Sequence, residues 1–371
     1  MPEFLIIFTL AILLSYFSEN NYIVKLWDPS GNLRRVRRRK VDPYCFYAIL
    51  LILILFVGLR TSYNDTNIYV RNYILLETGS GAHENIKWSL AENPSFVVSN
   101  ILIKRVVGGE GQEMLFVCAL TTMTLFLVFY RRWSPKFWFT IYLFIASGML
   151  LFAMAALKQV IAMGIGLCGI SCFLTNKKYL FLCCVLFAIT FHPFVFLYLS
   201  AFYLSERVWS KKVILIIVVA ILGGLFVEYF LDVAYGLTGT IGAQYDKYDE
   251  LSSDGVNFLR FMVYSVVPSI SIFYRQKINT RRDTKLALFI NLSLIGWCFM
   301  FIGLFTGANL LGRMAVYFDP FAHLALSMLL FRYVSWDARQ ALLLCCTIGY
   351  FIFMVIELYT RDFDYHWVFS I

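Results

Sequence analysis

The chain has 371 residues, 60% of them hydrophobic and 15% charged, with a mean hydropathy of +0.72. Soluble domains carry roughly 45–50% apolar residues by a comparable count, so composition excludes a soluble enzyme or a soluble binding module. The formal net charge of +9 raises the question of nucleic acid, but the basic residues lie in short clusters between apolar runs, and membrane topology accounts for them without such a partner. No internal repeat and no separate soluble domain stands out, so residues 1–371 read as a single transmembrane domain.

The predicted fold is all-α, a polytopic integral membrane protein of about twelve membrane helices. Apolar runs place spans near 3–17, 44–59, 113–130, 137–156, 158–174, 179–191, 192–204, 213–231, 256–274, 286–307, 313–333 and 340–358. Many reach the ~17–25 residues that cross a bilayer. The first, "MPEFLIIFTLAILLSYF", has Glu3 where a signal peptide needs a basic region, and no small-residue cleavage site follows. It reads as a retained span. Next comes "NLRRVRRRK" (32–40), the strongest orientation signal, because basic loops stay cytoplasmic. It predicts an extracytoplasmic N-terminus and, with an even number of spans, an extracytoplasmic C-terminus. Of the 32 lysines and arginines, 22 then fall on the cytoplasmic side, with only 6 of the 23 acids.

"GLRTSYNDTNIYV" (58–70) opens the first long extracytoplasmic loop, 60–112; the second is 232–255. Loops longer than ~12–15 residues are usually functional or disordered. In the first, Tyr69, Tyr73 and Leu76 fall at i, i+4 and i+7, which predicts a helix lying flat at the membrane interface. Farther on, "YLFLCCVLFAITFHPFVFLYLSAFYL" (179–204) is either one long helix or a hairpin with its tip at His192-Pro193. A single span would move most later basic residues outside, so the parity of the charges favours a short or re-entrant pair. The nine cysteines all lie in apolar runs and read as packing residues, with neither disulfides nor a metal site expected.

Several ionisable residues fall at membrane depth on the predicted outer side. Arg60 ends the second span, Lys158 and Gln159 sit at the turn "AALKQVIAMGIG", and His192 is at the hairpin tip. Arg313 opens "GRMAVYFDP", with Tyr317 one turn on and Asp319 before Pro320. Such groups are costly in a membrane and are functional candidates by default. Each also has a plainer reading: Arg60 as a snorkelling anchor, Lys158 as a turn cation, His192 as a cap at a helix break, Asp319 as relief of the Pro320 kink, and Asp65 as a helix N-cap. Three cations gathered on one outward face, Arg60, Lys158 and Arg313, run against the positive-inside tendency. They suit a phosphate or pyrophosphate, and a lipid pyrophosphate matches that depth. No nucleotide-binding, zinc-protease or serine-hydrolase motif stands in a suitable context, and no halves with matching broken helices suggest a secondary transporter.

Three segments together resemble the EpsG family of exopolysaccharide membrane proteins. "GLRTSYNDTNIY" is similar to its GLR-x-x-apolar-G-x-Asp-x-x-x-Tyr segment, with Asn64 where the family usually has glycine. "LKQVIAMGIG" through "AITFHPF" is similar to its Arg-Gln-x-Ile-Ala turn, basic loop and Ala-x-x-Phe-His, with Lys158 in place of arginine. "LLGRMAVYF" is similar to its Asn-x-Arg-x-x-x-Tyr-Phe element. The family is similar to Wzy-type polymerases. The resemblance therefore implies a multi-span bundle like the GT-C glycosyltransferases in a bacterial inner membrane. It implies a donor glycan on undecaprenyl pyrophosphate, a second lipid-linked oligosaccharide as acceptor, and no cofactor or metal. Membrane lipid and other polysaccharide-assembly proteins are the expected partners. On this reading Arg60, Lys158 and Arg313 hold the pyrophosphate, with Gln159 and Asp319 beside them. Asp65 is the candidate base, with His192 as its alternate, and Tyr69 and Tyr317 contact sugar. A membrane acyltransferase using His192, or a flippase for the same lipid-linked unit, are the rival expectations.

Overall fold

Helix α1 (Pro2–Phe17) and helix α2 (Pro43–Gly58) pack against each other and are joined by an antiparallel hairpin, β1 (Glu19–Trp27) with β2 (Leu33–Val41). The computed structural model describes residues 2–27, 33–79, 86–204, 207–225, 256–305, 308–360 and 365–368. The predicted loop 232–255 lies outside the described residues. The architecture is helical as expected, and the hairpin is a local addition in which the basic segment Leu33–Val41 pairs as strand. Helix α2 starts where sequence rules place it: Asp42 caps the Cys45 N–H at 3.0 Å, and Pro43 supplies a preset φ in the first turn.

The long loop expected over 60–112 contains regular elements among its described residues. Strand β3 (Arg60–Ser62), α3 (Thr66–Ile74), a 3-10 turn (Leu90–Glu92) and α4 (Pro94–Val106) precede α5 (Gly111–Trp133). Helix α3 ends before Leu76. It seats against the start of α5, where a Cβ on Gly111 would collide with the Val70 side chain. Tyr73 is buried against protein, and its hydroxyl donates to the Gly108 carbonyl at 2.6 Å.

The predicted continuous span 137–156 is broken into α6 (Phe137–Ala146) and α7 (Met149–Ala155), bent by 54°. Gly148 makes the break: its φ of +84° lies in the left-handed region, which ends a helix at little cost only for glycine. Helix α8 (Leu157–Leu174) follows after Ala156 alone. Residues 179–204 form the hairpin: α9 (Lys178–Ile189), then a 3-10 arm (Pro193–Ser200) continuing into α10 (Ala201–Leu204). The rings of Phe181 and Phe202 lie 5.1 Å apart, whereas one straight helix would separate residues 21 apart by ~30 Å.

Next come α11 (Lys211–Leu225), α12 (Phe258–Arg281) and α13 (Thr284–Gly303). The predicted span 313–333 is a second broken helix, α14 (Ala308–Val316) and α15 (Asp319–Arg332), bent by 47°. Pro320 stands in the first turn of α15, where its missing N–H is harmless but would break a continuous helix. Helix α16 (Trp336–Thr360) and β4 (His366–Trp367) are the last elements among the described residues. Among the described residues four helices are long and apolar enough to cross a membrane, or six if each bent pair is one span. Of the other expected spans, Glu3–Phe17, Pro43–Gly58, Lys178–Ile189 and Pro193–Leu204 are apolar but short, Phe258–Arg281 is 24 residues long but not apolar enough, and 213–231 runs past the described residues.

The basic loops assigned to one side do meet. Lys136 pairs with Glu19 at 2.9 Å, Arg332 with Asp283 at 3.4 Å, and Lys285 lies 4.8 Å over the Trp133 ring. Asn279 bonds both the N–H and the carbonyl of Val208 at 3.0 Å. At the other end, β4 pairs with β3, Val368 donates to the Leu59 carbonyl at 3.0 Å, and Phe4 packs on Phe56. Both chain ends thus share the end of the bundle where Arg60 lies.

Candidate functional site

After α2 the chain turns through β3 and enters α3 by way of Asn64, whose φ is +47°. Only glycine adopts this left-handed geometry freely, and asparagine is among the best of the rest. The geometry therefore explains why asparagine can stand where the resembling pattern has glycine. Asn64→Gly is expected to change stability by no more than about 0.5 kcal/mol, whereas Asn64→Val should cost about 1–2 kcal/mol. Thermal melting of the purified protein in detergent checks both.

Arg60, expected among the pyrophosphate ligands, lines neither of the two polar cavities that the described residues form. It is fully buried. Its guanidinium donates to the carbonyl of Val57, to the Met154 carbonyl at 2.8 Å and to Thr66 Oγ1 at 3.1 Å. Thr66 in turn donates to the Tyr63 carbonyl at 2.6 Å. Arg60 therefore ties the end of α2 to the last turn of α7 and the start of α3.

Six of the nine predicted site residues do come together. Asp65, Tyr69, Lys158, Gln159, His192 and Arg313 line one polar cavity of 230 Å³, with Asn72 and Asn93 completing its polar wall. The sharp corner at Ala156 brings the first turn of α8 to this cavity, and no side chain caps that turn. A helix N-terminus beside Lys158 and Arg313 makes the wall electropositive. Lys158 also lies 5.7 Å over the Phe96 ring, and Tyr69 meets the same ring edge-on at 6.0 Å. Gln159 Nε2 donates to the Arg313 carbonyl at 2.8 Å, which fixes the amide so that Oε1 is the remaining acceptor. Among the described residues that buried oxygen has no partner, and neither does Asn93 Oδ1. Unpaired buried acceptors each cost about 1–3 kcal/mol, so hydroxyl donors from a ligand would relieve them.

Asp65 occupies the N-cap position of α3, yet its side chain makes no capping bond. The cap reading therefore does not account for its carboxylate, which belongs to a residue lining the cavity. His192 likewise makes no capping bond; its Nδ1 shares a 2.6 Å hydrogen bond with the Tyr317 hydroxyl. Tyr317 is fully buried behind His192 and does not line the cavity, so it supports the imidazole and is not placed to meet sugar. Asp319 is also elsewhere. It faces a small 40 Å³ cavity with Ser147, Tyr264 and His323, where the two helix breaks meet. There His323 is held between Tyr130 at 2.9 Å and Ser147 at 3.0 Å.

A second polar cavity, of 330 Å³, adjoins the first and shares Asp65, Ala156 and Arg313 with it. Its wall also contains Arg260 and Glu357, paired at 2.5 Å. Sequence reading missed both. Glu357 carried a usable signal, because it is an acid inside a predicted apolar span. Asn93 carried none, since nothing in a polar loop residue marks it as facing a cavity.

A family model, that of the EpsG family, matches residues 43–369. No curated protein and no solved structure matches the chain.

Proposed function

The chain belongs to the EpsG family of exopolysaccharide-associated membrane proteins, and on that premise we propose that it polymerises lipid-linked oligosaccharide repeat units on the outer face of a bacterial inner membrane. One observation carries this reading: two polar cavities share a wall that contains an acid, Asp65, and a cation, Arg313. Joining two glycans needs two adjoining sites with a proton acceptor and an anion-stabilising group at their junction. In the proposed reaction an acceptor hydroxyl attacks the anomeric carbon of the donor sugar. Its proton passes to the Asp65 carboxylate, with His192 as the alternate base. The bond from the anomeric carbon to the pyrophosphate oxygen breaks. The charge left on the undecaprenyl pyrophosphate is balanced by Lys158, Arg313 and the N-terminus of α8. Gln159 and Asn93 accept hydrogen bonds from sugar hydroxyls, and Tyr69 packs on the ring.

Purified protein given a synthetic lipid-linked repeat unit is expected to make longer lipid-linked products. Unchanged substrate would overturn the reading. Lys158→Gln should lower the extension rate by about 10²-fold, the usual scale for losing one group that stabilises developing negative charge. Lys158→Arg should stay within several-fold of wild type, because a cation remains in the cavity. The two broken helices favour one rival, a flippase, since discontinuous helices often frame transport sites. Movement of the lipid-linked unit across reconstituted vesicles without any elongation would support that rival instead.

A further inference from the structure

The two cavities differ in charge. Among the described residues, the charged side chains of the 230 Å³ cavity are Asp65, Lys158 and Arg313, an excess of one positive charge. Those of the 330 Å³ cavity are Asp65, Arg260, Arg313 and Glu357, which balance. The Arg260–Glu357 pair decides what this second cavity can hold. The Glu357 side chain is only 9% exposed and already sits 2.5 Å from the guanidinium. A phosphate approaching Arg260 would have to displace that carboxylate or lie beside it, which is repulsive. Neutral hydroxyls carry no such penalty. A guanidinium has five N–H donors, and among the described residues only Nη2 of Arg260 is engaged with the carboxylate. The pair thus offers oriented donors to an uncharged ligand while its own charges stay compensated.

The remaining wall suits the same ligand. Asn64 and Asn257 add amides, and Tyr63 and Phe152 add aromatic surface for the C–H face of a sugar ring. Its volume falls within the ~300–1,000 Å³ usual for small-molecule sites. We propose that the 330 Å³ cavity binds the terminal, uncharged sugar of the acceptor glycan, with Arg260 and Glu357 acting as one hydrogen-bonding unit that presents its hydroxyl to Asp65. This rests on the polymerase reading, and it assigns the pyrophosphate to the neighbouring cationic cavity alone.

The test uses the full-length protein in detergent, the lipid-linked repeat unit as donor, and the same oligosaccharide on an uncharged alkyl chain as acceptor. Wild type is expected to extend the phosphate-free acceptor. Replacing the pair together, Arg260→Met with Glu357→Met, removes both charges and keeps comparable volume. It should raise the acceptor KM about tenfold while leaving the donor KM within about twofold. Because that double variant risks misfolding, Asn257→Ser is the second probe. Serine keeps the helix cap that Asn257 gives to Leu259 N–H, at 2.8 Å, but draws the amide out of the cavity. It should raise the acceptor KM several-fold with an unchanged melting temperature. Lys158→Gln should do the reverse, impairing use of the donor and not of the acceptor. Lipid-linked polymer formed without any extension of the neutral acceptor would overturn this assignment while leaving the polymerase reading intact. So would a normal acceptor KM in Asn257→Ser. No elongation of any substrate by wild type would overturn both.

Discussion

Asp65→Asn is expected to lower glycan extension by about 10²–10⁴-fold, the range for losing a positioned general base. The melting temperature should not change. Both halves of this expectation come from the same geometry. Asp65 stands at the N-cap of α3, but its carboxylate makes no capping bond, so the stability of about 1 kcal/mol that a working cap contributes is absent here. The residue lines both cavities at their common wall, where an acceptor hydroxyl and a donor sugar would meet. Asparagine keeps the shape and the polarity and loses only the ability to take a proton. Initial rates at saturating substrate, read beside a thermal melt, separate the alternatives. A destabilised but fully active variant would restore the cap reading. A stable and fully active variant would move the proton acceptor to His192.

Arg60→Met should fail at an earlier stage, with little folded protein recovered from the membrane. The guanidinium is buried and bridges three segments that are distant in sequence, through Val57, Thr66 and Met154. Removing it strands two buried carbonyls, at about 1–3 kcal/mol for each group left unpaired, and takes one of two partners from the Thr66 hydroxyl, which keeps its bond to the Tyr63 carbonyl. A loss of several kcal/mol is a large share of the roughly 5–15 kcal/mol that holds a typical domain folded. Arg60→Lys should restore only part of it, because a single ammonium cannot reproduce the planar fork that reaches all three acceptors. Size-exclusion recovery and the melting temperature are the measurements. A well-folded, inactive Arg60→Met with a normal melting temperature would make Arg60 a ligand-holding group after all. Arg60 and Arg313 thus mark two different uses of arginine on the same side of the bundle, one holding the backbone and one facing a cavity.

Much of this site was legible before the fold. Depth in the membrane singled out Lys158, His192 and Arg313, and the structure gathers them with Asp65, Tyr69 and Gln159 around one cavity. The same criterion also selected Arg60, Tyr317 and Asp319, which lie elsewhere. Depth measures how costly a charge is, and that cost can be met by backbone carbonyls or by a buried network as well as by a ligand. The hairpin at 179–204 was legible because the charges around it have a parity. The kink at Pro320 was legible from the proline itself, whereas the break at Gly148 was not, since glycine occurs inside continuous membrane helices and only packing decides whether one bends there.

Residue order alone marks this chain as a membrane-embedded helical protein of the EpsG family and shows which loops share an end. Hydropathy and lysine–arginine bias are local properties that add along the chain. Which polar side chains face a common space follows from the packed fold alone. Arg260 and Glu357 are 97 residues apart, and Gln159 and Arg313 are 154 apart. Whether such pairs meet depends on helix bends and helix–helix packing, which no local pattern encodes.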